Sequence, residues 1–342
     1  MPIRDRYEFA SDNTAAICPE AWAALAEANA ESAASYGEDR WTARVCEQVR
    51  EIFETDCETF FVFNGTAANS LSLAQLCRPF HSVLCHEHSH IETDECGAPE
   101  FFSGGSKLLR VSGANGKIDL AEAAGVLARQ RELHSPRPHV ISITQATELG
   151  TVYSPNELEA VADFAKGRGL LVHMDGARFA NAVASLGCSP KEATWQRGVD
   201  VLSFGGTKNG TAVGELVVFF NRELAREFDY RAKQAAQLAS KMRFIAAPWA
   251  GLLTNDVWLK NARHGNAAAA KLEKELGVQP AFPRQASALF LHLPEEKVKQ
   301  LHARGWHFYK FIEPDVYRLM CSWSVTDQDI ADFAADFRQT SA

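Results

Sequence analysis

The sequence predicts an α/β fold, a large unit with a mostly parallel sheet flanked by helices, followed by a smaller C-terminal α+β unit. Three observations predict it. From about residue 58, short apolar runs alternate with helical segments, the pattern of strand–helix–strand units. Several of those runs are near-continuously apolar, as strands are when helices cover both faces of their sheet. After Ile245 the alternation stops and the pattern changes character.

The elements follow in order. Phe60–Phe63 is strand-like and leads into an Ala/Leu-rich helix from Ala67 to about Leu76. Strand candidates Ser82–Cys85 and His139–Thr144 come next. A helix then opens at Ser154, a plausible N-cap with Pro155 at the first helical position and Glu157 three residues on. Leu170–Met174, Val199–Phe204 and Leu216–Phe220 complete the set. Ala246-Ala-Pro-Trp249 reads as a break, after which a helix runs through Asn261 and Ala267–Ala270 to Leu276. A strand (Ala288–His292), a helix (Glu295–Arg304), two short strand candidates and a last helix from Asp327 make the smaller unit. The division is expected after residue 247, giving units 1–247 and 248–342.

Composition narrows the function. At 342 residues, with 46% hydrophobic and 23% charged residues, the chain is long enough for a large core and ordinary for a globular protein. The formal charge of −8 is spread rather than blocked, which argues against nucleic-acid or anionic-membrane partners. The opening Met1-Pro-Ile-Arg-Asp-Arg-Tyr-Glu has no apolar core of a signal, and no apolar run approaches a membrane span. Eight scattered cysteines without a Cys-x-x-Cys pair read as reduced thiols, so a cytoplasmic location is expected.

Three features carry chemistry. Phe63-Asn-Gly-Thr-Ala-Ala-Asn69 places glycine and threonine between a strand and a helix. Backbone N–H groups at Gly65, Thr66 and Ala67 with the Thr66 hydroxyl suit a phosphate, although Gly-Thr at such a turn also serves as a simple cap. His173-Met-Asp-Gly-Ala-Arg178 follows an apolar strand, so Asp175 falls where parallel sheets bind ligands, either facing a pyridinium nitrogen or capping the next helix. Ser203-Phe-Gly-Gly-Thr-Lys-Asn-Gly210 sets Lys208 in a glycine-rich turn at a strand end. Desolvation there lowers an amine's pKa, as a Schiff-base lysine requires.

Anion pocket, aspartate and lysine in that order on a parallel frame resemble fold-type I pyridoxal-phosphate enzymes. Ser11-Asp-Asn-Thr, Tyr36-Gly-Glu-Asp, Gly65-Thr-Ala-Ala-Asn, His90 with Glu95-Cys-Gly, Asp175-Gly-Ala-Arg178, Thr207-Lys208, Met242-Arg243 and Arg318 resemble, in order and over nearly the whole chain, the motifs of the low-specificity L-threonine aldolases. The resemblance implies a transferase-like fold of type I, pyridoxal 5′-phosphate held through Gly65, Thr66, Ala67, Asp175, Arg178, Lys208 and Arg243, and His90 stacked on its ring. It implies Ser11, Tyr36, Arg178 and Arg318 around the amino-acid substrate, arginine being suited to a bidentate grip on a carboxylate. It also implies a homodimer or homotetramer, with Arg243 reaching into the neighbour's site and the N-terminal segment near the active site.

The implied reaction is cleavage of a 3-hydroxy-L-amino acid to glycine and an aldehyde, with β-elimination or transamination as alternatives inside the same chemistry. Threonine, allo-threonine and phenylserine all remain open. Many relatives carry a histidine where this chain has Glu148 in Ala146-Thr-Glu-Leu-Gly150. Lys208, His90 and Glu148 are therefore the candidate catalytic residues, with Glu148 either a base or the partner of an arginine or a backbone amide. A rival signal is His86-Glu-His-Ser-His90, which satisfies the His-Glu-x-x-His pattern of zinc hydrolases. That chemistry needs both histidines on one helical face, and here the stretch follows a strand, so no metal is expected.

Overall fold

The computed structural model describes residues 4–340; Met1 to Ile3, the start of the stretch read for a signal, lie outside them. Two helices come first, α1 (Pro19–Ala28) and α2 (Arg40–Phe53). The sheet region then runs β1 (Glu58–Val62), α3 (Gly65–Leu76), β2 (His81–His86), α4 (His90–Thr93), α5 (Ala98–Phe102) and β3 (Lys107–Val111). It continues through α6 (Leu120–Ala128), β4 (Arg137–Thr144), α7 (Pro155–Lys166), β5 (Leu171–Gly176), α8 (Phe179–Leu186), β6 (Val201–Phe204) and β7 (Glu215–Phe219). Three helices follow, α9 (Phe228–Gln234), α10 (Arg243–Leu253) and α11 (Val257–Leu276). The chain ends with β8 (Ala288–His292), α12 (Glu295–Ala303), β9 (Tyr309–Ile312), β10 (Val316–Met320) and α13 (Asp327–Gln339).

Seven strands form one sheet in the order β1-β7-β6-β5-β4-β2-β3, and only β7 runs against the others. The central strands are buried along their length, which is why their sequences are continuously apolar. Their register sets Thr144, Asp175 and Ser203 side by side at the carboxyl ends of β4, β5 and β6. Ligands of parallel α/β sheets bind beyond those ends. The capping box read at Ser154 is present, with Ser154 accepting the Glu157 N–H and Glu157 accepting the Ser154 N–H.

Two differences from the sequence reading bear on the sheet and its core. Strand β3 was not expected, because as an edge strand it alternates exposed Lys107 and Arg110 with buried Leu109 and Val111. Ala246–Trp249, read as a break, lies inside α10, Pro248 included. Its buried Ala246, Ala247, Trp249 and Ala250 join the main core, and that packing outweighs the hydrogen bond proline forfeits.

The main core packs one face of the sheet around Phe53, Phe179, Phe204, Trp249 and Trp258, which meet edge to face or stacked. A separate cluster with Val62, Val83, Val140, Val201 and Val217 covers the other face beneath α3 and α9. A second core lies under β8 and β10 and takes in Trp306, Phe333 and, from the other end of the chain, Phe9. Met320 N–H donates to Phe9 O at 3.0 Å, and Arg6 bridges Trp306. The N-terminal residues thus belong with the smaller core, and the chain crosses from there to the sheet at Ser11–Thr14. Among the described residues, no helix is long and apolar enough to cross a membrane.

Candidate active site

Asp175 ends β5 and is 4% exposed. Its Oδ1 accepts the Ala177 N–H at 3.0 Å and its Oδ2 the Asn69 amide at 2.8 Å, so the carboxylate is fixed in orientation. Two residues back on the same face of the strand, His173 is held by Ser142 Oγ at 2.9 Å and Ser203 Oγ at 3.1 Å. Burial pushes its pKa down to about 4, so it is a neutral strut beneath Asp175.

Beside Asp175 a cavity of ≈ 360 Å³ is lined by Gly65, Thr66, His90, Asp175, Ser203 and Lys208, among others. Its far end is the start of α3. Asn64 caps that helix and takes the Ala67 N–H at 2.9 Å, so Ala67 is already served and does not line the cavity. Gly65 and Thr66 remain as first-turn residues, and a Cβ at Gly65 would meet no atom within 4 Å. That is an open cradle at a helix N-terminus, the setting in which a phosphate is held by backbone N–H groups.

Lys208 sits in the 3₁₀ turn Thr207–Asn209 between β6 and β7. Buried Glu215 accepts the N–H of Gly206 and, at 3.4 Å, that of Thr207, which pins the turn. Gly206 permits it to lie on Trp249, whose ring a Cβ would approach to 2.4 Å. Burial and the Arg178 charge lower the Lys208 pKa, against pulls upward from Asp12, Asp175 and Glu215. Lys208 lines this cavity and also a second, ≈ 650 Å³ cleft.

Ser11, Asn13, His90, Glu148, Arg178 and Arg318 line that cleft, with Tyr309 and Phe311 at its wall. Arg178 grips Asp12 bidentately, Nε to Oδ2 at 2.7 Å and Nη2 to Oδ1 at 3.0 Å. Burial opposes charge on Arg178, but Asp12 outweighs it and raises its pKa. Arg318 is 8% exposed, lies over the rings of Tyr309 and Phe311, and leaves Nε without a partner. Burial, then the Arg178 charge, push it down to about 10. Arg178 is ion-paired with Asp12 whereas buried Arg318 leaves its Nε unpartnered, a donor that a substrate carboxylate would satisfy.

Glu148 accepts the His90 N–H at 2.7 Å and the Thr144 hydroxyl at 2.9 Å, both through Oε1, and its Oε2 is shielded without a partner. Burial and the nearby Asp175 push its pKa up to about 7. His90 opens α4 and bonds Glu95 through Nδ1 at 2.9 Å. Its pKa is raised by that bond, against desolvation.

Of the residues expected around the site, Ser11, Gly65, Thr66, His90, Glu148, Asp175, Arg178, Lys208 and Arg318 line these two cavities. Tyr36 and Arg243 do not: Tyr36 is 51% exposed with Lys233 over its ring, and Arg243 donates to Ala28 O at 3.3 Å. The zinc reading lacks its helix, because His86 ends β2 and bonds Gly113 O through Nε2, whereas His90 starts α4. Asp12, Asn69, Glu95 and Glu215 were not assigned roles from sequence. The first three stand inside motifs that carried the family resemblance, and that was the only signal available for them.

An open helix N-terminus at Gly65 and Thr66, the fixed carboxylate of Asp175, the desolvated Lys208 and the His90 imidazole line one cavity, a set whose chemistry fits the phosphate, ring nitrogen and aldehyde of pyridoxal 5′-phosphate. Together with the sheet they define a fold-type I pyridoxal-phosphate enzyme. The family model described as beta-eliminating lyase matches residues 8–292. The low-specificity L-threonine aldolase of Pseudomonas aeruginosa is 56% identical over 97% of each chain, and that of a Pseudomonas strain is 54% identical over the same share. The structure of Leishmania major threonine aldolase superposes with a TM-score of 0.92 at 26% identity, covering 98% of this chain and 99% of that one. The chain belongs to the low-specificity L-threonine aldolase family, within the beta-eliminating lyases.

Proposed function

We propose that this protein cleaves 3-hydroxy-L-amino acids, threonine and allo-threonine among them, to glycine and an aldehyde. The observation that carries the reading is one cleft holding two arginines, the desolvated Lys208 and the unpartnered Glu148 Oε2. Lys208 would hold pyridoxal 5′-phosphate, with Gly65 and Thr66 toward its phosphate and Asp175 toward its ring nitrogen. When bound, that group supplies the conjugated ring into which the electrons of the broken Cα–Cβ bond move.

The chain's own residues do the rest. Arg318 and the Arg178 edge left free by Asp12 take the substrate carboxylate, with Ser11 beside them, and so fix the bond to be broken. Glu148 takes the 3-hydroxyl proton at Oε2, since a carboxyl with a pKa of about 7 is matched to proton transfer near neutral pH. His90 lines both cavities, would lie over the cofactor ring, and offers Nε2 as a second acceptor toward the cleft. Arg243 and Tyr36 complete the site of a neighbouring copy, in a homodimer or homotetramer. A cytoplasmic location agrees with eight free cysteines.

The test is product analysis with cofactor supplied. Threonine and allo-threonine should each yield glycine and acetaldehyde in equal amounts. Ammonia and a keto acid in their place would make the protein an eliminating lyase and overturn the reading.

A further inference from the structure

A buried chain of hydrogen bonds joins His90 to Asp175, and the reaction as described gives it no task. His90 Nδ1 meets Glu95 Oε1 at 2.9 Å. The Asn69 amide nitrogen reaches that same oxygen at 2.8 Å and Asp175 Oδ2 at 2.8 Å. Asn69 is 2% exposed and Glu95 3%, so no solvent competes for these bonds.

Donor and acceptor roles follow from the chemistry of each group. An amide nitrogen has two hydrogens and nothing to accept with, so both of its partners must be acceptors. Turned over, Asn69 would face two carboxylate oxygens with its own Oδ1. Glu95 Oε1 is therefore an acceptor toward Asn69. Burial pushes the Glu95 carboxyl up, and its bonds with His90 and Asn69 draw it back down. The oxygen that accepts the amide is assigned as accepting from His90 too, which places the imidazole proton on Nδ1. His90 Nε2 then carries the lone pair, and among the described residues it has no hydrogen-bond partner.

We propose that Glu95 is a positioning residue that fixes His90 with its proton on Nδ1 and its Nε2 lone pair available to the cleft, while Asn69 ties Glu95 and Asp175 into one unit. The inference rests on the reading that His90 works at the cofactor and the substrate hydroxyl. It explains why a glutamate with no access to substrate is buried here, and why Asn69 stands in the first turns of α3. Four charged groups face His90: Glu95 ahead of α5, Asp175 at the end of β5, Lys208 in the β6–β7 turn, and Glu148, which accepts its backbone N–H. Glu95 leads the balance that raises the His90 pKa, and Lys208 opposes it.

The test is the titration of His90 in the full chain with cofactor bound, read by mass spectrometry from the exchange of its ring C2 hydrogen across pH. Glu95→Gln keeps the shape and the acceptor oxygen but removes the charge. It should lower the His90 pKa by about one unit or more and move the acid limb of kcat/KM for aldehyde release in the same direction. Glu95→Asp, which keeps the charge, should recover part of both shifts, and melting curves of the two variants control for folding. A His90 titration that is the same in wild type and Glu95→Gln overturns the inference. If wild type then still releases glycine and aldehyde, the function stands without it. A shifted His90 in a protein that releases no aldehyde keeps the positioning role and removes the function.

Discussion

Glu148 is where this chain's chemistry departs most from the histidine expected at its position, and its environment makes the departure measurable. Thr144 and the His90 N–H both bind Oε1, so Oε2 is left desolvated and unpaired. With a folded pKa of about 7 against an ordinary 4.5, the native state holds a proton that the unfolded chain has released in that interval. Stability associated with this group is complete below the unfolded value and is lost as pH rises through about 7. Glu148→Gln should therefore raise the unfolding free energy of the cofactor-free protein at pH 8 by up to about 3 kcal/mol, read as a higher melting temperature, and change it little at pH 4.5. In kinetics the same variant should cut kcat and kcat/KM together, roughly 10²–10⁴-fold. An unchanged kcat gives the proton to His90. Asp175 at the end of β5 and Lys208 in the turn that follows β6 were legible in sequence because each comes at the close of an apolar strand, where α/β sheets bind ligands. Glu95 and Asn69 were not, because their roles exist only once α3 packs beside the loop before α5.

The elements that carry the site are held by close backbone approaches. α1 lies across α10 at Gly251, where a Cβ would come within 2.3 Å of the Glu20 carbonyl oxygen. Gly251→Val should separate these helices and lower stability by about 1–3 kcal/mol in denaturant unfolding, while kcat for the folded fraction stays near wild type. Loss of kcat without loss of stability would place α10 in the chemistry. The strand–helix alternation was readable because buried parallel strands are apolar throughout. β3 escaped because an edge strand is half polar, and α10 because local proline signals yield to burial of its alanine and tryptophan face. The division expected after residue 247 meets the same difficulty, since Trp249, Leu252, Val257, Trp258 and Ala262 pack in the main core while Ala268, Leu272 and Leu276 pack in the smaller one. We propose that α11 is shared by both units and that Phe9 belongs with the smaller.

At the scale of the molecule, two residues that the family motifs include stand outside the site of their own chain. Tyr36 is exposed, and Arg243 opens α10 away from both cavities. If they complete a neighbour's site, mixing inactive Arg243→Ala with inactive Lys208→Ala should regain activity through hybrid pairs with one intact site. Mixtures as inactive as their components would confine each site to a single chain. Everything else in the account depends on Lys208 as the residue that holds pyridoxal 5′-phosphate. The most direct measurement is borohydride reduction of the cofactor-loaded protein, followed by digestion and mass mapping of the labelled peptide. The account predicts the reduced cofactor on Lys208, with the label lost in Lys208→Ala. A label on any other lysine, or none in a protein that cleaves threonine, would contradict it.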